Sequence, residues 1–234
     1  MESVEPLDRE PLKIIALDGP AGSGKSTVAK RLADALTLAY LDTGAMYRSV
    51  AFVCLQQDVD VANSNAVADA SREATIELGR DGSVTVNGID ATAAIRGPEV
   101  TTLVSHVASN PEVRAEMVGR QRAWAVQHGG GVLEGRDIGT VVFPDALLKI
   151  YLTARPEVRA ARRANEASTL DVKAIEADIA RRDALDSSRD ASPLRRADDA
   201  IELDTSDIGI EEVVDLLVTA VADRLAELAA GEPQ

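Results

Sequence analysis

Three glycines, a lysine and a serine fall in the run Gly19-Pro20-Ala21-Gly22-Ser23-Gly24-Lys25-Ser26, with Thr27 behind them. Backbone N–H groups reach phosphate oxygens only where the chain turns tightly and no Cβ intervenes, which Gly19, Gly22 and Gly24 permit. Lys25 would bring a positive charge to the β- and γ-phosphates, Ser26 would offer a hydroxyl to Mg²⁺, and a following helix would turn its positive end to the same place. Gly19 to Thr27 therefore reads as a P-loop for ATP with Mg²⁺.

A P-loop alone does not separate a kinase from a GTPase, a motor or a regulatory ATPase. No Asn-Lys-x-Asp run occurs, so the usual guanine-reading element is missing. Phosphoryl transfer to a phosphorylated acceptor needs a second anion site facing the γ-phosphate, and the planar arginine fork suits it. Arg48, in Asp42-Thr43-Gly44-Ala45-Met46-Tyr47-Arg48, and Arg136, in Glu134-Gly135-Arg136-Asp137, each follow a short apolar run. Both should lie just beyond the carboxyl ends of strands, where open α/β sheets bind ligands. A kinase for a neutral small acceptor, or a nucleotide-driven switch, would need fewer basic groups. On these residues both readings stay open.

The elements that must hold these groups are legible as periodicity. Lys13–Asp18 is apolar and runs into the loop, the pattern of a buried parallel strand, and Val28, Leu32 and Leu36 follow at helical spacing. Leu38–Asp42, Val132–Glu134, Leu147–Leu152 and Ala200–Leu203 read as four further strands, and a helix is expected from about Ala45 to Leu55. Ile210, Val213, Val214, Leu217, Val221 and Leu225 make the stripe of a closing amphipathic helix. Thr75–Leu78, Ser83–Val86 and Ile89–Ala91 break that rhythm. They are separated by Asp81-Gly82 and Asn87-Gly88, strong hairpin signals, and predict a small antiparallel sheet inserted in the core. A helix from Pro111 to His128 should stop at Gly129-Gly130-Gly131. The expected class is α/β, a P-loop NTPase fold with a five-stranded parallel sheet flanked by helices. Its core would comprise residues 13–62, 106–154 and 197–230, with an inserted subdomain at 63–105 and a helical, Arg-rich cover at 155–196.

Composition supports this reading. The 234-residue chain is 45% hydrophobic but only 3% aromatic, so its core must come from Ala, Val, Leu and Ile of helices and buried strands. A net charge of −14 argues against a polynucleotide or anionic-membrane partner, since both need clustered Lys and Arg. The charge is uneven: residues 155–196 hold nine Arg and one Lys against eight Asp and Glu, so positive charge is gathered in one segment. Within it Arg155, Arg159 and Arg162 share one helix face. The single cysteine, Cys54, sits in an apolar run and reads as a core residue, and no cysteine pattern for a metal exists. Residues 1–12 are acidic and polar, unlike a signal peptide, and no run has transmembrane length. A cytoplasmic, monomeric protein is expected.

Taken together, Gly19–Thr27, Asp42–Arg48, the stretch Glu134-Gly135-Arg136-Asp137-Ile138-Gly139-Thr140-Val141-Val142-Phe143-Pro144-Asp145-Ala146, and Arg182-Asp183 leading to Asp186 and Arg189 resemble the bacterial cytidylate kinases. The match covers nearly the whole chain, and the stretch around Arg136 is far more specific than the P-loop. The resemblance implies transfer of the γ-phosphoryl of ATP to CMP or dCMP with Mg²⁺, and it makes the 63–105 insert a nucleoside-monophosphate-binding subdomain and 155–196 the lid. It implies that Arg48 and Arg136 hold the acceptor phosphate and that Ser105, Arg114 and Asp137 read cytosine. Tyr47, Arg182 and Asp186 would meet the sugar, Arg189 would reach the phosphates on closure, and Asp42 and Thr43 would line the acceptor site. Lys25, Arg136 and Arg189 are then the catalytic set. Glu134 stands where Asp is often expected, which puts a contact through it in doubt.

Overall fold

The computed structural model describes residues 12–166 and 171–231. The reading of residues 1–12 therefore lies, Leu12 apart, outside the described residues, as do residues 167–170 of the Arg-rich segment. The chain begins β1 (Lys13–Asp18), α1 (Lys25–Leu36), β2 (Tyr40–Asp42), α2 (Thr43–Gln56) and α3 (Ser64–Glu73). It continues β3 (Ile76–Leu78), β4 (Val84–Val86), β5 (Ile89–Asp90), α4 (Pro98–Ser109) and α5 (Pro111–His128). It closes with β6 (Gly130–Gly135), β7 (Leu148–Thr153), α6 (Pro156–Glu166), α7 (Val172–Ser187), β8 (Ile201–Asp204) and α8 (Ile210–Gly231).

Five strands form one parallel sheet in the order β2-β6-β1-β7-β8, as the five apolar runs predict. Alternate side chains leave opposite faces of a strand, and the two faces of β1 build two cores. Ile14 and Ala16 join Leu133 and residues of α2, α4 and α5 on one side, while Ile15 and Leu17 join Val28, Leu32, Ile150, Val213 and Leu217 of α1, β7 and α8 on the other. Cys54 is buried in the first core. The inserted sheet is antiparallel, in the order β3-β4-β5, and Asn87 and Gly88 turn with φ of 50° and 77° as its hairpin demands.

Two expectations change. The glycine triplet does not act as one helix stop: Gly129 alone ends α5, in the left-handed conformation, whereas Gly130 and Gly131 open β6. They are small because neighbours crowd them. A Cβ on Gly130 would meet the Lys13 carbonyl oxygen at 2.5 Å, and one on Gly131 would meet the Trp124 ring at 2.9 Å. The expected division at residue 105 also falls inside α4, which runs unbroken from Pro98 to Ser109 and packs on α2 and α5. The insert is therefore continuous with the helical layer of the core.

Candidate active site

Every strand of the large sheet has candidate groups at its carboxyl end. The P-loop leaves central β1, Asp42 ends β2, Arg136 and Asp137 follow β6, α6 follows β7 and Thr205 follows β8. Local chemistry sets the loop up for an anion. The caps of α2, α3, α5 and α7 are side chains (Asp42, Asn63, Asn110 and Asp171) that accept first-turn N–H groups, whereas α1 begins at Gly24 with no side-chain cap. No side chain therefore competes for its first N–H groups, the condition under which a helix start can take an anion.

Within the loop, Gly19, Pro20, Ala21, Ser23 and Lys25 are buried, Gly22 and Gly24 are half-buried, and Ser26 and Thr27 are exposed. Lys25 Nζ donates to the Pro20 carbonyl at 2.7 Å. Burial, and after it the nearby Arg136, pushes this amine down to about 7. A cation held where its charge is disfavoured gains from an arriving phosphate. Ser26 hydrogen-bonds the Glu134 carboxylate, which also accepts the Tyr40 hydroxyl at 2.6 Å. Glu134 is 5% exposed, and these two hydroxyls engage its carboxylate.

Two clusters of charge lie beyond β6. In one, Arg114 on α5 donates to Asp137 through Nη2 and to the Ala108 carbonyl at 3.1 Å, and its guanidinium stands 5.3 Å from the centre of the Tyr47 ring. All three side chains are buried, and burial pushes the Tyr47 phenol up to about 12. Ser105, buried on α4, is on the helix packed against α5. In the other cluster the Asp186 carboxylate bridges two arginines, accepting from Arg136 Nε at 2.8 Å and from Arg189 Nη2. Against burial, these two cations hold the Asp186 carboxyl below its ordinary range. It is thus a buried counter-ion.

Arg48 is held by the Ile95 carbonyl at 3.0 Å and the Thr101 hydroxyl at 2.9 Å. Burial first, then Arg182 and Arg163, push it down to about 10. Arg182 is lowered for the same reasons, by burial and by Arg136, and its Nε has no partner among the described residues. Asp42 caps α2 through Ala45 N–H at 2.9 Å and faces Arg96 at 3.6 Å. The Thr43 hydroxyl donates to the Glu134 carbonyl at 2.6 Å, tying the start of α2 to β6.

The structure also brings in residues that sequence reasoning did not assign. Asp183 on α7 accepts the Ala21 N–H of the P-loop at 2.9 Å and pairs with Arg159 of α6, which itself donates to the Ala21 carbonyl at 3.0 Å. Arg162 and Thr205 meet at the Ser23 carbonyl. So α6 and α7 rest directly on the loop. The shared face of Arg159 and Arg162 was the signal in the sequence; for Asp183 there was only its neighbour Arg182. Arg155, third on that face, turns outward to Asp207 instead.

Known proteins resemble this chain in sequence and fold. The model of the family described as cytidylate kinase matches residues 15–223. A cytidylate kinase of Streptomyces avermitilis is 46% identical over 220 residues, covering 92% of this chain and 95% of that protein. One of Anoxybacillus flavithermus is 49% identical over 219 residues, covering 90% and 96%. Among solved structures, an uncharacterized protein of Eubacterium ventriosum shares the fold with a TM-score of 0.51 at 11% identity, over 91% of this chain and 99% of that one. No helix among the described residues is long and apolar enough to cross a membrane. With a family match from Ile15 to Asp223 and near-half identity to full-length relatives, this chain belongs to the cytidylate kinase family.

Proposed function

We propose that the chain transfers the γ-phosphoryl of ATP to CMP or dCMP, giving ADP and CDP or dCDP. An oxygen of the acceptor's phosphate attacks the γ-phosphorus as the bond to the β–γ bridging oxygen breaks and ADP leaves. The observation that carries this reading is the gathering of half-buried Arg48 and Arg182 with Arg136 nearby: burial first, then Arg182 and Arg163, lower Arg48, and burial first, then Arg136, lower Arg182. A neutral acceptor would leave that repulsion standing, whereas a phosphate dianion relieves it. Arg136 and Arg189, linked through Asp186, extend the same positive wall towards Lys25.

The buried Arg114–Asp137 pair suits cytosine. A carboxylate accepts from the N4 amino group and a guanidinium donates to N3 or O2, so one ion pair meets both halves of that base edge. Ser105 is the third group for the base. Tyr47, Arg182 and Asp186 face the sugar, and Asp42 and Thr43 form the rim of the acceptor site. Residues 63–105 and 155–196 are the parts that close over the two nucleotides and keep water from taking the γ-phosphoryl.

Magnesium fits the residues present. The exposed Ser26 hydroxyl beside the Glu134 carboxylate is a hard oxygen donor set of the kind Mg²⁺ prefers. Ser26 would hold the ion, which when bound offsets the negative charge of the phosphates.

A coupled assay of ADP release with each nucleoside monophosphate tests the function. Turnover of CMP and dCMP well above UMP, AMP and GMP is expected, with no ATP consumption when the acceptor is omitted. Preference for a purine nucleotide, or for UMP over both cytidine nucleotides, refutes it.

A further inference from the structure

Asp18 is the last residue of β1 and directly precedes the P-loop, yet its carboxylate is not spent on that loop. Oδ1 accepts the Ile138 N–H at 2.9 Å and Oδ2 accepts the Gly139 N–H at 2.8 Å. Those two residues open a short π-helical turn, Ile138–Val142, immediately after Arg136 and Asp137. The turn has no side-chain cap of its own from Asp137. In the sheet Asp18 stands opposite Gly135, the last residue of β6. The carboxylate therefore continues the pairing of β1 and β6 past the point where their backbone ladder ends.

We propose that Asp18 is a positioning residue that locks the Arg136–Asp137 segment to the P-loop, so that acceptor and donor phosphates are held at a fixed distance and in line. Two converging N–H donors call for two acceptors on one side chain. A carboxylate offers both, whereas the amide of Asn would turn an N–H towards one of them. An apolar residue would leave both donors buried and unpaired.

Its surroundings argue that the role is functional. Asp18 is 5% exposed, and burial pushes its carboxyl up to about 6 against the Gly139 and Ile138 N–H groups that favour its charge, with Asp137 and Lys25 as smaller, opposed influences. Charge is kept where burial works against it. In-line transfer is sensitive to small displacements of the acceptor, so a shifted Arg136 loses rate as well as affinity. ATP, held by the N–H groups and lysine of the loop itself, should be far less affected.

The proposal rests on the acceptor-site reading of Arg136, so the experiment is run with whichever nucleoside monophosphate the wild-type protein phosphorylates. The assay panel decides that reading; Asp18 is decided separately. Asp18→Asn and Asp18→Ala are compared with wild type in three measurements: Mg·ATP affinity by calorimetry, kcat and KM for the acceptor, and the melting temperature. We expect Asp18→Asn to bind ATP within about threefold of wild type while the acceptor KM rises about tenfold and kcat falls. Asp18→Ala, lacking both acceptors, should show a larger acceptor defect. Equal losses of ATP and acceptor binding that track the melting temperature would reduce Asp18 to a structural residue and overturn the proposal. Unchanged acceptor kinetics in either folded variant would overturn it too.

Discussion

At the scale of single residues the site is rich in arginines held by buried carboxylates, and Arg136 shows how that works: against burial, Asp186 and then Asp183 and Glu134 favour its charge. Its Nε is held by Asp186, its Nη1 donates to its own neighbour's carbonyl at 3.3 Å, and its charge bears on Lys25. On the proposed acceptor site, replacing Arg136 by Ala would remove one donor group for the acceptor phosphate but leave Asp186 paired with Arg189. A hydrogen bond to a charged group contributes about 1.5–3 kcal/mol. The KM for CMP should therefore rise on the order of 10- to 100-fold in Arg136→Ala. Calorimetric ATP affinity should hold or improve, since Lys25 loses a nearby cation. Weaker ATP binding with normal CMP binding would place Arg136 on the donor side instead. Arg48 and Arg136 stand out in the sequence because each follows a short apolar run, whereas Asp137 is assigned only through the family resemblance. Asp18 and Asp183 were not, because their partners are backbone N–H groups more than a hundred residues away, and no local pattern encodes such contacts.

Among elements, β1, β6 and β7 were read within a few residues because burial gives each an apolar run, and α5 because Pro111 opens it and Gly129 closes it. The glycines at the start of β6 were misread for the opposite reason. Their small size answers a tertiary demand, the Lys13 backbone and the Trp124 ring, which looks in sequence like a turn signal. The docking of α6 on the P-loop is likewise tertiary. Gly22 has φ of +75°, and a Cβ there would lie 3.0 Å from the Arg159 carbonyl oxygen and 3.1 Å from its Cβ. Gly22→Ala thus combines a left-handed backbone cost of about 1–2 kcal/mol with displacement of α6. The ATP KM should rise on the order of tenfold, while urea unfolding shows a loss of only about 1–2 kcal/mol. A variant with normal ATP KM would mean that α6 need not rest on the loop during turnover.

For the whole molecule, Asp18 before the donor loop and Lys25 near its end set a stability cost that depends on pH. Asp18 is raised to about 6 in the folded state, above its ordinary value of 3.8, so the folded form binds the extra proton between those limits. Stability from this group falls as pH rises through that window. Lys25 is lowered to about 7 from 10.5, so between 7 and 10.5 the unfolded chain carries the extra proton and stability rises with pH. Between about 6 and 7 both are charged in the folded protein and both costs are present. The neutral-pH enzyme is thus less stable than its fold permits, in exchange for a lysine poised for phosphate. Lys25→Met removes one cost along with the hydrogen bond to Pro20, and it should abolish ATP use. Its unfolding free energy should nonetheless exceed wild type by about 1–3 kcal/mol at pH 6.5, discounted from the shift for the lost hydrogen bond. That advantage should shrink steadily and vanish by about pH 10. Chemical denaturation of both proteins from pH 6 to 10 measures it. A difference that does not change with pH would mean that the folded protein holds Lys25 at its ordinary basicity, with no disfavoured charge for an arriving phosphate to relieve.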